Sequence, residues 1–431
     1  MKRILLASLA TTLFPAVAHA SGFYVGDQSA KELGRAFSGG AVSADDPSTI
    51  YYNPAGMPEL GQVDVSSTAA LLWVHSHERD TGSTRTIPGV ASAVPTGGSS
   101  GGNPFAQPTL VPSGYASFRV NQSPVWIGLG FSSAYAAKDR YADNFFGRYD
   151  SIKSDVKTVD ITPAIGIRLS DNVSIGASAI IEQADIKLRN ALPNASPLLP
   201  DGMLRVAGDD LSLGWDVGIL AKAGAARIGA NYRSHIKHEL NGNYVVSGLV
   251  APLAAGNLGS FATAPLDLAD IATVSVEYGA GKRARIMATG KWFNWSRFQA
   301  ISVTPVLTGQ TQTSINNYKD SWQGAVGLEY DLAPALTVRA GAMYETTPTV
   351  DEYRDTRVPD GDRTWASAGA SFRPNRHIEV SVGYAHVFVS DENLNRVSDF
   401  YEGTPAAITA VTRAVSTNSA DVLSTSVRFR L

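Results

Sequence analysis

Few residues in this chain are placed to do chemistry. Arg233 and Lys237 stand four apart in an alternating run. On an unbroken strand that spacing puts both cations on one face, where they would attract a carboxylate head group. The bland reading is a pair of ordinary solvated charges. His75 and His77 point the same way near the end of another run, with Glu78 beside them: a metal set, or a solvated rim. Gly97-Gly98-Ser99-Ser100-Gly101 has the outline of a nucleophile elbow, but it lies in a Gly/Ser/Pro-rich stretch without strand-to-helix context and carries no catalytic reading. Asn53-Pro54-Ala55-Gly56 reads as a tight turn, because proline fixes its own φ and restricts Asn53. It is a movable latch or a purely structural turn. There is no cysteine, hence no disulfide and no thiolate metal site, and no cofactor motif is present.

The elements that must position these residues are strands. Residues 1–20 read as a signal peptide: Lys2-Arg3, a short apolar core from Ile4 to Val17, and the small-x-small site Ala18-His19-Ala20. Its removal leaves 34 of the 36 basic residues against 39 acidic, a formal charge of −5, so there is no basic footprint for nucleic acid. No other apolar run is long enough for a spanning helix. Instead, Val159, Ile161, Pro163, Ile165, Ile167 and Leu169 alternate with Asp160, Thr162, Ala164, Gly166 and Arg168. Ile378, Val380, Val382 and Tyr384 alternate likewise with His377, Glu379, Ser381 and Gly383.

About fourteen such runs are expected, at 63–77, 113–121, 124–135, 156–169, 173–187, 210–223, 226–240, 270–279, 283–295, 318–331, 335–346, 363–373, 377–389 and 420–431. Short and long connections alternate between them, as they do when one end of a barrel faces the periplasm and the other the outside. An all-β, 14-stranded antiparallel transmembrane β-barrel is therefore expected over residues 61–431, in the outer membrane of a Gram-negative bacterium, acting as a monomer among outer-membrane lipid and lipopolysaccharide. Trp73, Trp126, Trp292, Trp295 and Trp365 are expected in the interfacial girdles, or else in a pocket wall. The 248–266 loop is unusually apolar, as a capture surface or a short helix on the rim.

Residues 21–60 precede the first run and lack alternation. Ser29 with Glu32 suggests a capping box, and Asp46-Pro47 a second helix start. Composition leaves two placements open, a plug folded inside the barrel or an exposed extension. A barrel of this size is too wide for its own side chains to fill, which makes the segment the natural hatch.

The ordered set Gly22-Phe23, Gln28-Ser29, Leu33-Gly34-Arg35-Ala36, Ala44-Asp45-Asp46 and Asn53-Pro54-Ala55 resembles the N-terminal hatch of the FadL family, outer-membrane transporters of long-chain fatty acids and other hydrophobic compounds. Trp215-Asp216-Val217-Gly218, Tyr232-Arg233-Ser234, Trp295-Ser296-Arg297-Phe298 and Pro359-Asp360-Gly361-Asp362-Arg363 extend the resemblance over the mature chain. It implies passive, non-enzymatic transport without a cofactor: capture by outer loops, a hydrophobic pocket above the hatch, and lateral release through the wall at a kinked third strand. The kink would fall at Ser133, Ala134 and Tyr135, and Phe23 would be the N-terminal pocket residue. The sequence departs from the family in ending on Leu431 rather than an aromatic, and in placing Ser302 where a basic pocket residue is expected. Two other functions compete: uptake of aromatic hydrocarbons, and a lipase-type outer-membrane enzyme built on one of the seven histidines.

Overall fold

A computed structural model describes residues 22–431; the signal segment falls outside the described residues. Fourteen strands form the wall: β1 (Val63–Asp80), β2 (Thr109–Arg119), β3 (Val125–Ser132), β4 (Lys153–Arg168), β5 (Val173–Leu192), β6 (Gly202–Ala223), β7 (Ala226–Arg233), β8 (Ile271–Ala280), β9 (Ala284–Phe293), β10 (Ser321–Ala333), β11 (Leu336–Glu345), β12 (Arg363–Phe372), β13 (Ile378–Val389) and β14 (Ile408–Arg430). Each pairs antiparallel with its neighbours along the chain. The pairing of β14 with β1, from Asp64↔Arg430 to Asp80↔Ala414, closes the ring and leaves no sheet edge. Period-2 alternation sorts the side chains. Ile161, Ile165, Leu213, Val217, Val380 and Val382 are exposed on the outer face, whereas Asp160, Thr162, Asp216 and Ser381 are buried on the inner one.

The strands depart from simple alternation in three places. β3 stops at Ser132 rather than 135. The expected 226–240 strand is broken: Arg233 pairs with Ile271 and Lys237 with Asp267, so residues 234–236 and 268–270 leave the ladder together. β14 begins at Ile408, well before residue 420, because it also pairs with Glu392–Phe400 beyond the barrel rim. The long outer connections carry further strands of their own, among them Lys237–Ser247, Leu258–Asp267 and Ala300–Pro305. The apolar 248–266 loop is accordingly the end of a hairpin with one short 3-10 turn at Ala254–Gly256.

Every residue from Gly22 to Pro58 is buried except Asp45, which is half-buried. This segment lies inside the ring, as α1 (Ala30–Gly34), α2 (Thr49–Tyr52) and a 3-10 turn at Pro54–Glu59. A segment this irregular leaves backbone groups unpaired, and hydroxyls of the wall supply partners. Ser113 Oγ donates to Gln28 O (3.0 Å), Thr289 Oγ1 to Ser38 O (2.6 Å) and Ser174 Oγ to Ala55 O (2.6 Å). Charges tie it as well: Arg35 to Glu329 (2.5 Å), and Lys31 to Glu379. The capping box does not form. Ser29 makes no side-chain cap, and Glu32 pairs instead with Arg35. The second helix starts later than Asp46-Pro47 suggests, at Thr49 with Ser48 as an N-cap that makes no side-chain cap, and Asp46 accepts the Ser48 N–H at 2.8 Å in the turn before it.

Candidate functional site

Phe23 is the floor of the site. It is buried edge-on against Trp295 (ring centroids 4.8 Å apart), Phe298 (5.6 Å) and Tyr135 (6.0 Å). Above it lies an apolar cavity of about 90 Å³, lined by Phe23, Ile186, Leu240, Leu266, Phe298 and Tyr318 among others. A larger, more polar chamber of about 690 Å³ lies beyond, lined by Tyr149, Asn190, Tyr244, Tyr353, Arg396 and Phe400. Leu188, Val206, Ile301, Val303 and Arg357 border both spaces, so the two are contiguous.

Arg357 comes from the outer connection between β11 and β12 and stands at that seam. Its Nη2 donates to Asp150 O (2.6 Å), and its Nη1 lies 3.5 Å from Ser151 Oγ and Ser154 Oγ. Among the described residues no carboxylate approaches it within 4.0 Å, so its hydrogen bonds go to neutral acceptors, while the buried Asp355 and Asp139 feel its charge at longer range. Asp355 also lines the cavity, and burial, with Asp150 close by, raises its pKa. Arg396, in the chamber, is likewise held by oxygens of Ile315, Ser314 and Tyr353. A guanidinium at the junction of a polar chamber and a greasy cavity suits an amphiphile that carries an anionic head. Neither arginine was legible as a site residue, because each sits in a long connection whose folding depends on non-local contacts. Ser302 is no substitute: its hydroxyl meets only Thr313 on an exposed hairpin (3.2 Å).

The wall beside the cavity is irregular at the residues the sequence singles out. After Ser132 the chain bends inward, and the β2–β3 ladder ends at Gly114↔Phe131. Ser133, Ala134 and Tyr135 pair instead with the N-terminal segment. Val25 N donates to Ala134 O (2.7 Å), Ala136 N donates to Phe23 O (2.9 Å), and Tyr24 faces Tyr135 in a single bridge. Gln28 Nε2 donates to Ser133 O (2.7 Å), and Tyr135 Oη to Ala269 O (3.1 Å). The floor residue Phe23 and the kink are thus one hydrogen-bonded unit.

Asn53 sits deeper, 1% exposed. Its Oδ1 accepts from Ala55 N (3.1 Å), and its Nδ2 donates to Ala41 O (2.6 Å) and to Ile219 O on β6 (3.1 Å). Gly218 makes room for that amide: a Cβ there would overlap Asn53 Oδ1. Pro54 and Ala55 lie as tightly against Gly176 of β5.

Arg233 and Lys237 do not act together. Arg233 is buried in the lumen and already paired, with Asp160 at 2.6 Å and Glu182 at 3.9 Å, and it stacks over Tyr51. Lys237 is exposed on the outer face, because the break at 234–236 resets the alternation between them. His75 and His77 are exposed, whereas Glu78 points inward to Ser76 and Ser416, so the three do not converge. No group suited to a metal occurs among the described residues. Trp73 and Trp292 face outward, but Trp126, Trp295 and Trp365 are buried inside; they wall the lumen and do not form a girdle.

Comparison with known proteins agrees in extent as well as in fold. The family described as "Outer membrane protein transport protein (OMPP1/FadL/TodX)" matches residues 11–431. A putative outer-membrane protein of Neisseria meningitidis is 26% identical, with 90% of each chain covered. A long-chain fatty acid transport protein of Escherichia coli is 24% identical over 88% of this chain and 90% of its own. Among solved structures, a FadL homologue of Pseudomonas aeruginosa superposes with a TM-score of 0.83 at 23% identity, covering 95% of this chain and 99% of that one. The toluene transporter TbuX of Ralstonia pickettii gives 0.66 at 16% identity, covering 95% and 99%. The family's description is of outer-membrane transport proteins and not of enzymes. The chain belongs to the OMPP1/FadL/TodX family of outer-membrane transport proteins.

Proposed function

We propose that this protein takes up long-chain fatty acids, or amphiphiles like them, by passive transport. The cargo would enter the chamber among the outer loops and pass tail-first into the apolar cavity above Phe23. It would leave sideways where the β2–β3 ladder ends. Residues 21–60 would act as the hatch, with Asn53-Pro54-Ala55 holding it to β5 and β6 and the Phe23–Val25 strand moving with the kink. The observation that carries the fatty-acid reading is Arg357: a guanidinium with no carboxylate in direct contact among the described residues, facing an apolar cavity, is matched by a carboxylate on a hydrocarbon tail.

The narrowness and aromatic lining of the cavity favour a second cargo, a single aromatic ring. The two separate in one experiment. Arg357→Gln should raise the half-saturating oleate concentration for uptake roughly tenfold, the scale of one charge-assisted hydrogen bond, and leave toluene uptake unchanged. Equal oleate uptake by both forms would remove Arg357 from the account and favour the aromatic cargo.

A further inference from the structure

The outer face of the wall changes character along β4, β5 and β6. Val159, Ile161 and Ile165 on β4 give way to Lys157, Asp155 and Lys153. On β5, Ile175, Ala177 and Ile181 give way to Gln183, Asp185, Lys187 and Arg189. On β6, Leu213 and Leu211 give way to Asp209 and Arg205. Beyond the kink, Ala136–Arg140 extends the sheet and turns Lys138 and Arg140 outward.

Register brings the upper cations together. Arg140 is opposite Lys153, Lys153 opposite Arg189, and Arg189 opposite Arg205. Four positive side chains therefore stand shoulder to shoulder in one row across four adjacent strands. Asp143 meets Arg189 at 2.7 Å, and Asp155 meets Lys153 at 3.2 Å. Arg140 and Arg205 are exposed, and among the described residues no carboxylate comes within 4.0 Å of either. Like charges directly opposed on a sheet destabilise it, so the row carries an electrostatic cost that an anion with several charges would relieve. It lies six residues above Val159 on β4, about 20 Å along the strand from the last apolar row. That is the level of lipid head groups and not of acyl chains.

We propose that this row binds the phosphate groups of a phosphorylated glycolipid of the outer leaflet. The position is outside the barrel and directly above its lipid-facing belt, which suits a lipid whose acyl chains lie along Ile161, Ile175 and Leu213 while its phosphates meet the row. Guanidinium groups grip phosphate through paired hydrogen bonds. Lys138 and Arg140 follow the kink within a few residues, so the bound glycolipid would border the place where the β2–β3 ladder ends. The row would hold such a glycolipid whatever cargo the barrel carries.

The test uses the full-length protein in detergent, with deep-rough lipopolysaccharide as the probe and native mass spectrometry or fluorescence titration as the readout. Wild type should bind it in a saturable, salt-sensitive manner, and removing the glycolipid's phosphates should weaken binding. The triple variant Lys153→Gln, Arg189→Gln, Arg205→Gln should lose roughly ten- to a hundredfold in affinity, the scale expected for three cations near an anionic surface. Arg79→Gln, which removes an exposed cation on β1 away from the row, should bind like wild type. A cooperative melting transition of the lipid-free triple variant shows that it folds; its midpoint reflects both the relieved repulsion and the loss of the Lys153–Asp155 and Arg189–Asp143 pairs. Three results would each overturn the proposal: unchanged affinity in the triple variant, equal binding of the dephosphorylated glycolipid, or equally effective competition by millimolar inorganic phosphate.

Discussion

Asn53 satisfies three backbone groups with one buried amide and bridges the N-terminal segment to β6. Replacing it by Ala removes all three partners and leaves two carbonyls and an N–H buried. The expected loss is about 1–3 kcal/mol, visible as a lower midpoint of thermal unfolding in detergent; an unchanged midpoint would show that the turn is held by other contacts. Asp139, on the inner face beyond the kink, is a different case. Burial pushes its carboxyl up to about 7, although Ser154 N donates to it at 3.1 Å. A carboxyl with a raised folded pKa holds its proton more tightly when folded than when unfolded. Its contribution is therefore favourable below the ordinary carboxylate pKa and is lost as the pH rises toward 7. Asp139→Asn should raise the melting midpoint at pH 8 relative to wild type and do little at pH 4, a difference of about 1 kcal/mol or more. An equal effect at both pH values would show that Asp139 does not titrate in this interval. The Asn53 turn could be read from the sequence because proline restricts its neighbours locally. Arg357 could not, because nothing near it in the chain says that its loop folds back over the lumen.

At the scale of elements, alternation was enough to locate all fourteen wall strands, since a strand with one lipid face and one aqueous face must repeat every second residue. It failed where the repeat is interrupted. The break at 234–236 sends Lys237 outward although it is four residues from Arg233, and no pattern within that strand announces the change. Inward-facing tryptophans such as Trp126 and Trp365 were indistinguishable from girdle residues for a related reason: a tryptophan suits both an interface and a packed lumen. The kink at Ser133–Tyr135 can be tested directly. Tyr24 and Tyr135 form a bridge flanked by the Val25–Ala134 and Phe23–Ala136 hydrogen bonds, an antiparallel geometry in which the two side chains are close. The chain has no cysteine of its own. Tyr24→Cys with Tyr135→Cys should form a disulfide under oxidation, suppress oleate uptake, and recover it on reduction. Full uptake in the oxidised form would mean that the N-terminal strand and the kink need not separate.

The whole molecule is a closed barrel with a filled lumen, an apolar cavity against the filling and a polar chamber above. On the passive reading proposed above, net movement follows the cargo's own gradient. The central claim is that this passage admits a fatty acid. Its most direct test is the initial rate of labelled oleate uptake in an outer-membrane strain lacking its own transporter, with and without this protein, matched for folded barrel in the outer membrane. The account predicts a saturable rate several-fold above the empty-vector strain, with transfer across the outer membrane unaffected by a protonophore. Equal rates in the two strains, with the folded protein present, would contradict it.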